Sequence, residues 1–303
     1  MQVAPFVRKW LVFVVPAVAV AEILLHLHQV RSVIPDDDWK RAKAEVEQRA
    51  KPDDLVAFAP RWVDPIGREF FGSSLATLER EGYPDTTRFP RAIEVSIRGE
   101  HLDDLAGWKE VEHTKVGDIT ITTLANPSPV TVLDDLLKHV GQPDMHVSLD
   151  GRECAFGRYG VQSGNLGFGP AVPSMRYQCG GNAFAGISIV ADLDYRARRC
   201  LFAPPQGQAK LRFRFDGIAF GNVLHGHHGL YVEAERELKG SPITLVFRSG
   251  EETLGTVVHR DGDGWKPFDL NTVNLAGKTA ELNVELSSGS NDRRLYCFEA
   301  DTR

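Results

Sequence analysis

The sequence predicts an α+β multidomain protein: an N-terminal transmembrane helix, a small α/β domain and a C-terminal antiparallel β-sandwich. Three observations carry this. An apolar run at residues 10–27 follows Arg8-Lys9. Between residues 36 and 125, helix-type and strand-type segments alternate. From about residue 145 the chain turns into short strand-compatible runs, each ended by Gly, Asn, Asp or Pro at intervals of roughly 8–14 residues, the texture of an all-β sandwich.

The apolar run, WLVFVVPAVAVAEILLHL, has Glu22 and His26 as its only ionisable side chains. At the rise of an α-helix it reaches about 27 Å, enough to cross a hydrocarbon core. The basic pair ahead of it predicts a cytoplasmic N-terminus and an exported body, periplasmic or otherwise extracytoplasmic. The rival is a cleaved signal peptide, because Ala19-Val20-Ala21 fits a small-x-small cut. The apolar character continues past that cut through Ile23, Leu24, Leu25 and Leu27, so the expectation is an uncleaved anchor over residues 1–31.

The α/β unit is expected over 36–125. Asp36, Asp37 and Asp38 open a helix, with acids in the first turn where the helix dipole favours them. The run LVAFAP at 55–60 reads as a buried strand. A second helix is expected around 67–81, a strand at 91–99, a helical turn at 101–107 and a hairpin at 108–124 turning near Gly117. Asn126-Pro127-Ser128-Pro129 then marks a linker, assigned to 126–145, with a short helix at 130–141 carrying Leu133, Leu136, Leu137 and Val140 on one face. The sandwich takes 146–303. Its clearest alternation is LRFRFDG, where Leu211, Phe213 and Phe215 face one way and Arg212 and Arg214 the other; Leu282, Val284 and Leu286 repeat the pattern.

Composition narrows the function classes. The chain has 303 residues, 42% hydrophobic and 25% charged, with a net charge of −6. Basic residues do not cluster beyond the first few positions, which excludes the electrostatic footprint of a nucleic-acid binder. There is no G-x-S-x-G, P-loop or H-E-x-x-H, and no spacing isolates an acid/base carboxylate pair, so a non-catalytic protein is expected over an enzyme. The glycines of GNLGFG, 164–169, lack the following helix of a nucleotide site and predict a loop.

The stretch LHGHHG holds three histidines in four residues. On a strand His225 and His227 would face one side and His228 the other. The glycines at 221, 226 and 229 predict a solvated loop instead, with a glycan or partner contact and a metal site as alternatives; a zinc site would need further ligands, for which no nearby His or Cys offers itself and only Asp216 or Asn222 could serve. In HRDGDGW, Asp261 and Asp263 resemble part of a calcium loop, but Trp265, Lys266 and Pro267 interrupt it, so a plain Asp-Gly turn without a cofactor is expected, with a bound calcium ion as the alternative. Trp265 is either a core residue or a platform for the apolar face of a sugar ring; Trp62 and Trp108 pose the same choice. The candidate ligand residues are therefore His225, His227, Arg260, Asp261, Asp263 and Trp265.

The stretches GLYVEAERELKGSPITLVFRSGEETLGTVVHRDGDGWKPFDL and AGKTAELNVELSSGSNDRRLYCFEA resemble carbohydrate-binding jelly-roll modules of the galactose-binding-like type, over about residues 195–303. This implies a jelly-roll-like sandwich that binds glycan. Residues 36–125, with KPDDLVAFAPRWVDPIGREFFG and RFPRAIEVSIRG, resemble the soluble extracytoplasmic part of membrane glycosyltransferases that use lipid-linked sugars. The catalytic membrane portion of such enzymes has no counterpart here, so no activity is carried over. In a jelly roll the first and last strands are often neighbours, which implies a Cys200–Cys297 disulfide and leaves Cys154–Cys179 as the second. Four cysteines allow three connectivities, and free thiols are the alternative. The functional expectation is a membrane-anchored module that binds envelope glycan or assists glycan assembly. The alternative is a structural or interaction subunit docked to a membrane protein through its helix, with Glu22 as a possible intramembrane partner residue.

Overall fold

A computed structural model describes residues 5–31, 33–72, 75, 77–78, 82–83, 85–160, 169–290 and 293–303. Helix α1 runs Pro5–Arg31 and includes Pro16. The side chains described on it, residues 13–27, are all exposed, among them Val15, Ile23 and Leu24. Among the described residues no helix is long and apolar enough to cross a membrane. The anchor expected over 1–31 includes side chains outside those described.

Helix α2 (Asp36–Arg49) places its three aspartates in the first turn and buries Trp39, Ala42 and Val46 at helical spacing. Its N-cap is Pro35, whose carbonyl accepts the Asp38 amide at 2.9 Å; no side chain caps this end. Strand β1 (Leu55–Ala59), helix α3 (Asp64–Phe71), and strands β2 (Arg91–Ile97), β3 (Lys109–Val116) and β4 (Ile119–Ala125) complete the unit. The sheet order is β1-β2-β4-β3, with β1 parallel to β2 and the rest antiparallel. Every residue of β1 is buried because both faces are covered, which is why its sequence is continuously apolar. Helices α2 and α3 cover Val56, Phe58, Ile93 and Val95 on one face. Leu78, Leu102 and Leu105 cover Leu55, Ala57 and Ala92 on the other, with Trp108 packed at the side. Trp108 is thus a packing residue. The second helix starts earlier than expected, at Asp64, and residues 73–74, 76 and 79–81 of the expected span lie outside the described residues.

The sandwich comprises β5 (Asp134–Asp135), β6 (Met145–Leu149), β7 (Arg152–Glu153), β8 (Ala155–Arg158), β9 (Met175–Gly180), β10 (Ala183–Ala191), β11 (Ala197–Phe202), β12 (Leu211–Ala219), β13 (Val223–Leu230), helix α4 (Val232–Glu237), β14 (Ile243–Ser249), β15 (Glu252–His259), β16 (Lys266–Asn271), β17 (Thr279–Ser288) and β18 (Tyr296–Thr302). One sheet has the order β16-β13-β18-β11-β10-β9-β8, with β5 joined to β18; the other is β15-β14-β17-β12-β6-β7. The core between them takes Leu211, Phe213 and Phe215 from β12 and Leu282, Val284 and Leu286 from β17, the inward faces expected from their alternation. Tyr296, Phe298 and Ala300 of β18 meet them from the facing sheet.

Two local expectations are corrected. Residues 130–141 do not form an α-helix: Asp134 and Asp135 pair with Thr302 and Asp301 of β18, and only a 3-10 turn follows at Leu136–His139, started by the Asp135 carboxylate accepting the Leu137 amide at 3.1 Å. Residues 225–228 are not a loop but the middle of β13. There, Gly226 is required by crowding, because a Cβ would sit 2.2 Å from the Glu299 carbonyl oxygen. The GNLGFG stretch lies outside the described residues except for Gly169.

The disulfides join Cys154 to Cys179 and Cys200 to Cys297, the two pairings implied by the jelly-roll resemblance. The α/β unit docks on the sandwich mainly through charge: Asp85 pairs with Arg303 at 2.6 Å, Arg88 with Asp135 at 2.9 Å, and the Arg199 amide donates to the Gly82 carbonyl at 2.8 Å.

Candidate functional site

Two neighbouring features carry the polar and aromatic groups. The first is the outer face of the larger sheet. Strand β13 lies between β16 and β18, and its period of two puts His225 and His227 outside and His228 inside. Each outer histidine faces a carboxylate across the ladder. His225 Nδ1 is 2.6 Å from Asp269 of β16, and His227 Nδ1 is 2.7 Å from Glu299 of β18. Glu299 is buried; burial pushes its carboxyl up, and the bond to His227 only partly offsets this. The two imidazoles meet edge to face at 5.0 Å, His227 stacks parallel to Trp265 at 6.3 Å, and the Arg198 guanidinium lies 5.9 Å from the Trp265 ring centre. Trp265 also packs against Phe184, Phe202 and the Cys200–Cys297 disulfide, so it is partly a core residue.

The remaining sequence candidates belong to the turn between β15 and β16. Burial works against ionised Asp261, but a salt bridge to buried Arg294 and the Gly240 amide at 2.6 Å outweigh it and hold its carboxyl below the usual range. Asp263 accepts the Arg260 amide at 3.0 Å and Lys266 Nζ at 2.9 Å, while Arg260 itself is exposed. Both carboxylates are therefore engaged in shaping the turn. Among the described residues, no three His, Cys, Asp or Glu side chains are grouped to hold a metal ion.

The second feature is a groove between the two units, about 790 Å³ in volume. Arg61, Trp62, Asp64, Pro65 and Arg68 line it from the α/β unit; Ile189 and residues 194–197 line it from the β10–β11 turn. Trp62 is 57% exposed and Tyr195 62% exposed. Singly such exposure is ordinary; two exposed aromatics lining one groove make a patch of the kind that marks a binding surface. Tyr195 is held there at a positive φ of 58° by buried Asp192, whose carboxylate accepts the amides of Asp194 and Arg196, both at 2.9 Å. Asp192 is itself fixed by Arg198 at 2.8 Å. The platform is thus preorganised, which lowers the entropy cost of stacking on it. Trp62 has the Arg98 guanidinium 5.6 Å from its ring centre, and Tyr195 has Arg236 at 4.7 Å, which also donates to its hydroxyl at 2.5 Å.

The groove continues into a smaller cavity of about 130 Å³ that shares Arg61, Arg196 and Ala197 and adds Tyr83, Asp85, Thr86, Asp104 and Arg198. Asp104 of the α/β unit pairs with Arg61 and, at 3.8 Å, with Arg196 across the joint. The cavity touches the first feature at two points. Arg198 lies over Trp265, and Asp85 lies 4.0 Å from His225 Nε2.

The structure therefore brings His225, His227 and Trp265 together beside the groove and leaves Arg260, Asp261 and Asp263 in a turn. Trp62 was visible in the sequence as one of several ambiguous tryptophans. The sequence marks Tyr195 and Arg196 only by an aromatic within a short polar turn, LDYRA. The lining offers aromatic faces and fixed donors and acceptors, which is the chemistry of polyol binding.

No family model matches the chain, and no curated protein matches it. Structures it is similar to include β-sandwich carbohydrate-binding modules. One is the C-terminal CBM6 of LamC, a laminarinase from the marine Zobellia galactanivorans, with 12% identity over 39% of this chain and 88% of that one, at a TM-score of 0.25. Another is CBM51-2 with INT domains of Clostridium perfringens ZmpB in complex with GlcNAc, with 9% identity over 67% and 45% of the two chains, at a TM-score of 0.31. A third is a carbohydrate-binding module of the β-sandwich superfamily with promiscuous specificity, with 8% identity over 60% and 65%, at a TM-score of 0.30. The expected likeness of residues 36–125 to glycosyltransferases gains no support from these comparisons. At such similarity the functional reading rests on the groove.

Proposed function

We propose that the chain is a non-catalytic glycan-binding protein of the cell envelope, with α1 as its membrane anchor and its body outside the cytoplasm. The observation that carries the binding reading is the pair Trp62 and Tyr195, one exposed aromatic from each unit in a single groove whose other lining groups are largely arginines and aspartates. A pyranose presents an apolar C–H face and a rim of hydroxyls, and this lining answers both. The groove volume falls within the roughly 300–1,000 Å³ of small-ligand sites. The two disulfides support an oxidising compartment, and the exposed apolar side chains of α1 support a lipid environment for that helix.

The test is a glycan array on the full chain in detergent, followed by calorimetry on hits. Trp62→Ala and Tyr195→Ala are each expected to weaken binding about tenfold or more, roughly 1.4 kcal/mol, with the melting temperature unchanged. Folded protein that binds no glycan would replace this reading with that of an interaction subunit of a membrane complex.

A further inference from the structure

The proposed glycan site has a charge pattern that selects among glycans. Around the groove most carboxylates are already taken. Asp64 is bonded to Arg68 at 2.6 Å, and Asp104 serves both Arg61 and Arg196. Asp194, exposed at the rim, is the remaining aspartate of the groove among the described residues. Against it, with Glu233 three residues before Arg236 on α4, stand the two guanidinium groups of Arg98 and Arg236. Both are exposed, and each is set against one of the two aromatic platforms, Arg98 at Trp62 and Arg236 at Tyr195.

Neither Arg98 nor Arg236 lines the groove itself; each guanidinium lies over a ring that does. This placement has two physical effects. A cation against one face of an aromatic ring draws on the ring's negative quadrupole, so the opposite face becomes less repulsive to an electron-rich group. The two guanidinium charges also lie within a Debye length of anything stacked on the rings, on a chain whose net charge is −6. A neutral sugar draws nothing from that field; an anionic one does.

We infer that the groove prefers anionic saccharides, with the acidic substituent held near the two aromatic rings and their arginines. This inference rests on the glycan-binding reading and adds a ligand class to it. The anionic group common to candidate ligands is a carboxylate or a sulfate ester on a pyranose, and the test distinguishes the two.

The experiment titrates the full chain in detergent with tetragalacturonate, with its fully methyl-esterified and therefore uncharged counterpart, and with the pair sulfated lactose and lactose. The expected result is about tenfold tighter binding of at least one acid than of its neutral partner, with the gap closing as NaCl rises from tens to hundreds of millimolar. The acid that shows the gap identifies the substituent. Arg98→Gln and Arg236→Gln should each cut affinity for that acid about three- to fivefold and affect the neutral partner less, and Arg236→Lys should restore part of the loss, because the charge returns without the planar guanidinium. Both arginines are exposed, so the variants should fold, with the melting temperature as the control. Equal or better binding of the neutral partners, still lost in Trp62→Ala and Tyr195→Ala, would overturn the inference and leave the glycan-binding reading standing. No binding of any saccharide by folded protein would overturn both.

Discussion

On the outer face of β13, His225 and His227 are partly covered and each meets a carboxylate, Asp269 or Glu299. On the inner face, one residue later, His228 is buried among rings: His259 at 5.0 Å, Phe268 at 5.9 Å and Tyr296 at 6.0 Å. Burial first, then the proximity of His259 and Lys266, brings its pKa down to about 3. Asp263 acts weakly the other way, and the inner carboxylate Glu235, bonded to the neighbouring His259, is spent on other groups. It accepts the Leu230 amide at 3.0 Å, the Gly262 amide at 2.8 Å and a 2.7 Å bond with His259 Nε2. The same residue type within one strand is therefore used in two ways. Outside it is a partner for a carboxylate beside the groove; inside it is a neutral ring that fills space. The difference teaches that a histidine cluster in sequence need not be one site, because a strand deals its residues to opposite environments.

The inner side should yield the largest effects. Glu235→Leu strips one fully buried acceptor from two amides and an imidazole, and we expect a loss of roughly 3–5 kcal/mol in urea denaturation. An effect under about 1 kcal/mol would mean the inner network is not the rigid element described here. The next effect is a pH dependence. Because the folded pKa of His228 lies below its unfolded value of about 6.5, the unfolded chain binds the extra proton first. The stability tied to a neutral His228 is complete above about pH 6.5 and is lost as pH falls toward about 3, by at most roughly 4–5 kcal/mol. Carboxylates such as Asp261 and Asp263, held below their usual range, slope the same way at lower pH, so the measurement is the difference between wild type and His228→Phe across pH 7 to 4. Parallel curves would remove the contrast between the faces. The smallest effects belong outside. His227→Ala leaves buried Glu299 without its partner and should cost about 1–2 kcal/mol, whereas His225→Ala faces the largely exposed Asp269 and should cost under about 1 kcal/mol. Equal costs would show that burial of the carboxylate does not set the value of these pairs.

Much of the sandwich was legible, for a local reason. Leu211, Phe213 and Phe215 alternate with arginines because one face of β12 is core and the other is water, and period two records that directly. Strand β13 hid itself for the opposite reason: packed between two strands, it needs Gly226 where a side chain would strike Glu299, and such glycines look like a loop. The helix expected at 130–141 failed because an apolar spacing of three and four was outweighed by two residues pairing with a distant strand. The opposite directions of His227 and His228 followed from periodicity once the strand was known. The groove did not, since Trp62 and Tyr195 come together only when the two units dock, and Arg98 and Arg236 reach them from still other segments.

The position of β18 has a kinetic meaning. It is the common neighbour of β13 and β11, and the Cys200–Cys297 bond, which spans 97 residues of sequence, ties the same junction. Until residues 296–302 are available, those two strands have nothing to join them, and the sheet that carries His225, His227 and one wall of the groove cannot close. Contacts this distant in sequence form slowly, because loop closure precedes the reward. The wait leaves the edges of β13 and β11 unpaired, which marks them as the segments most in need of a chaperone while the chain is still incomplete.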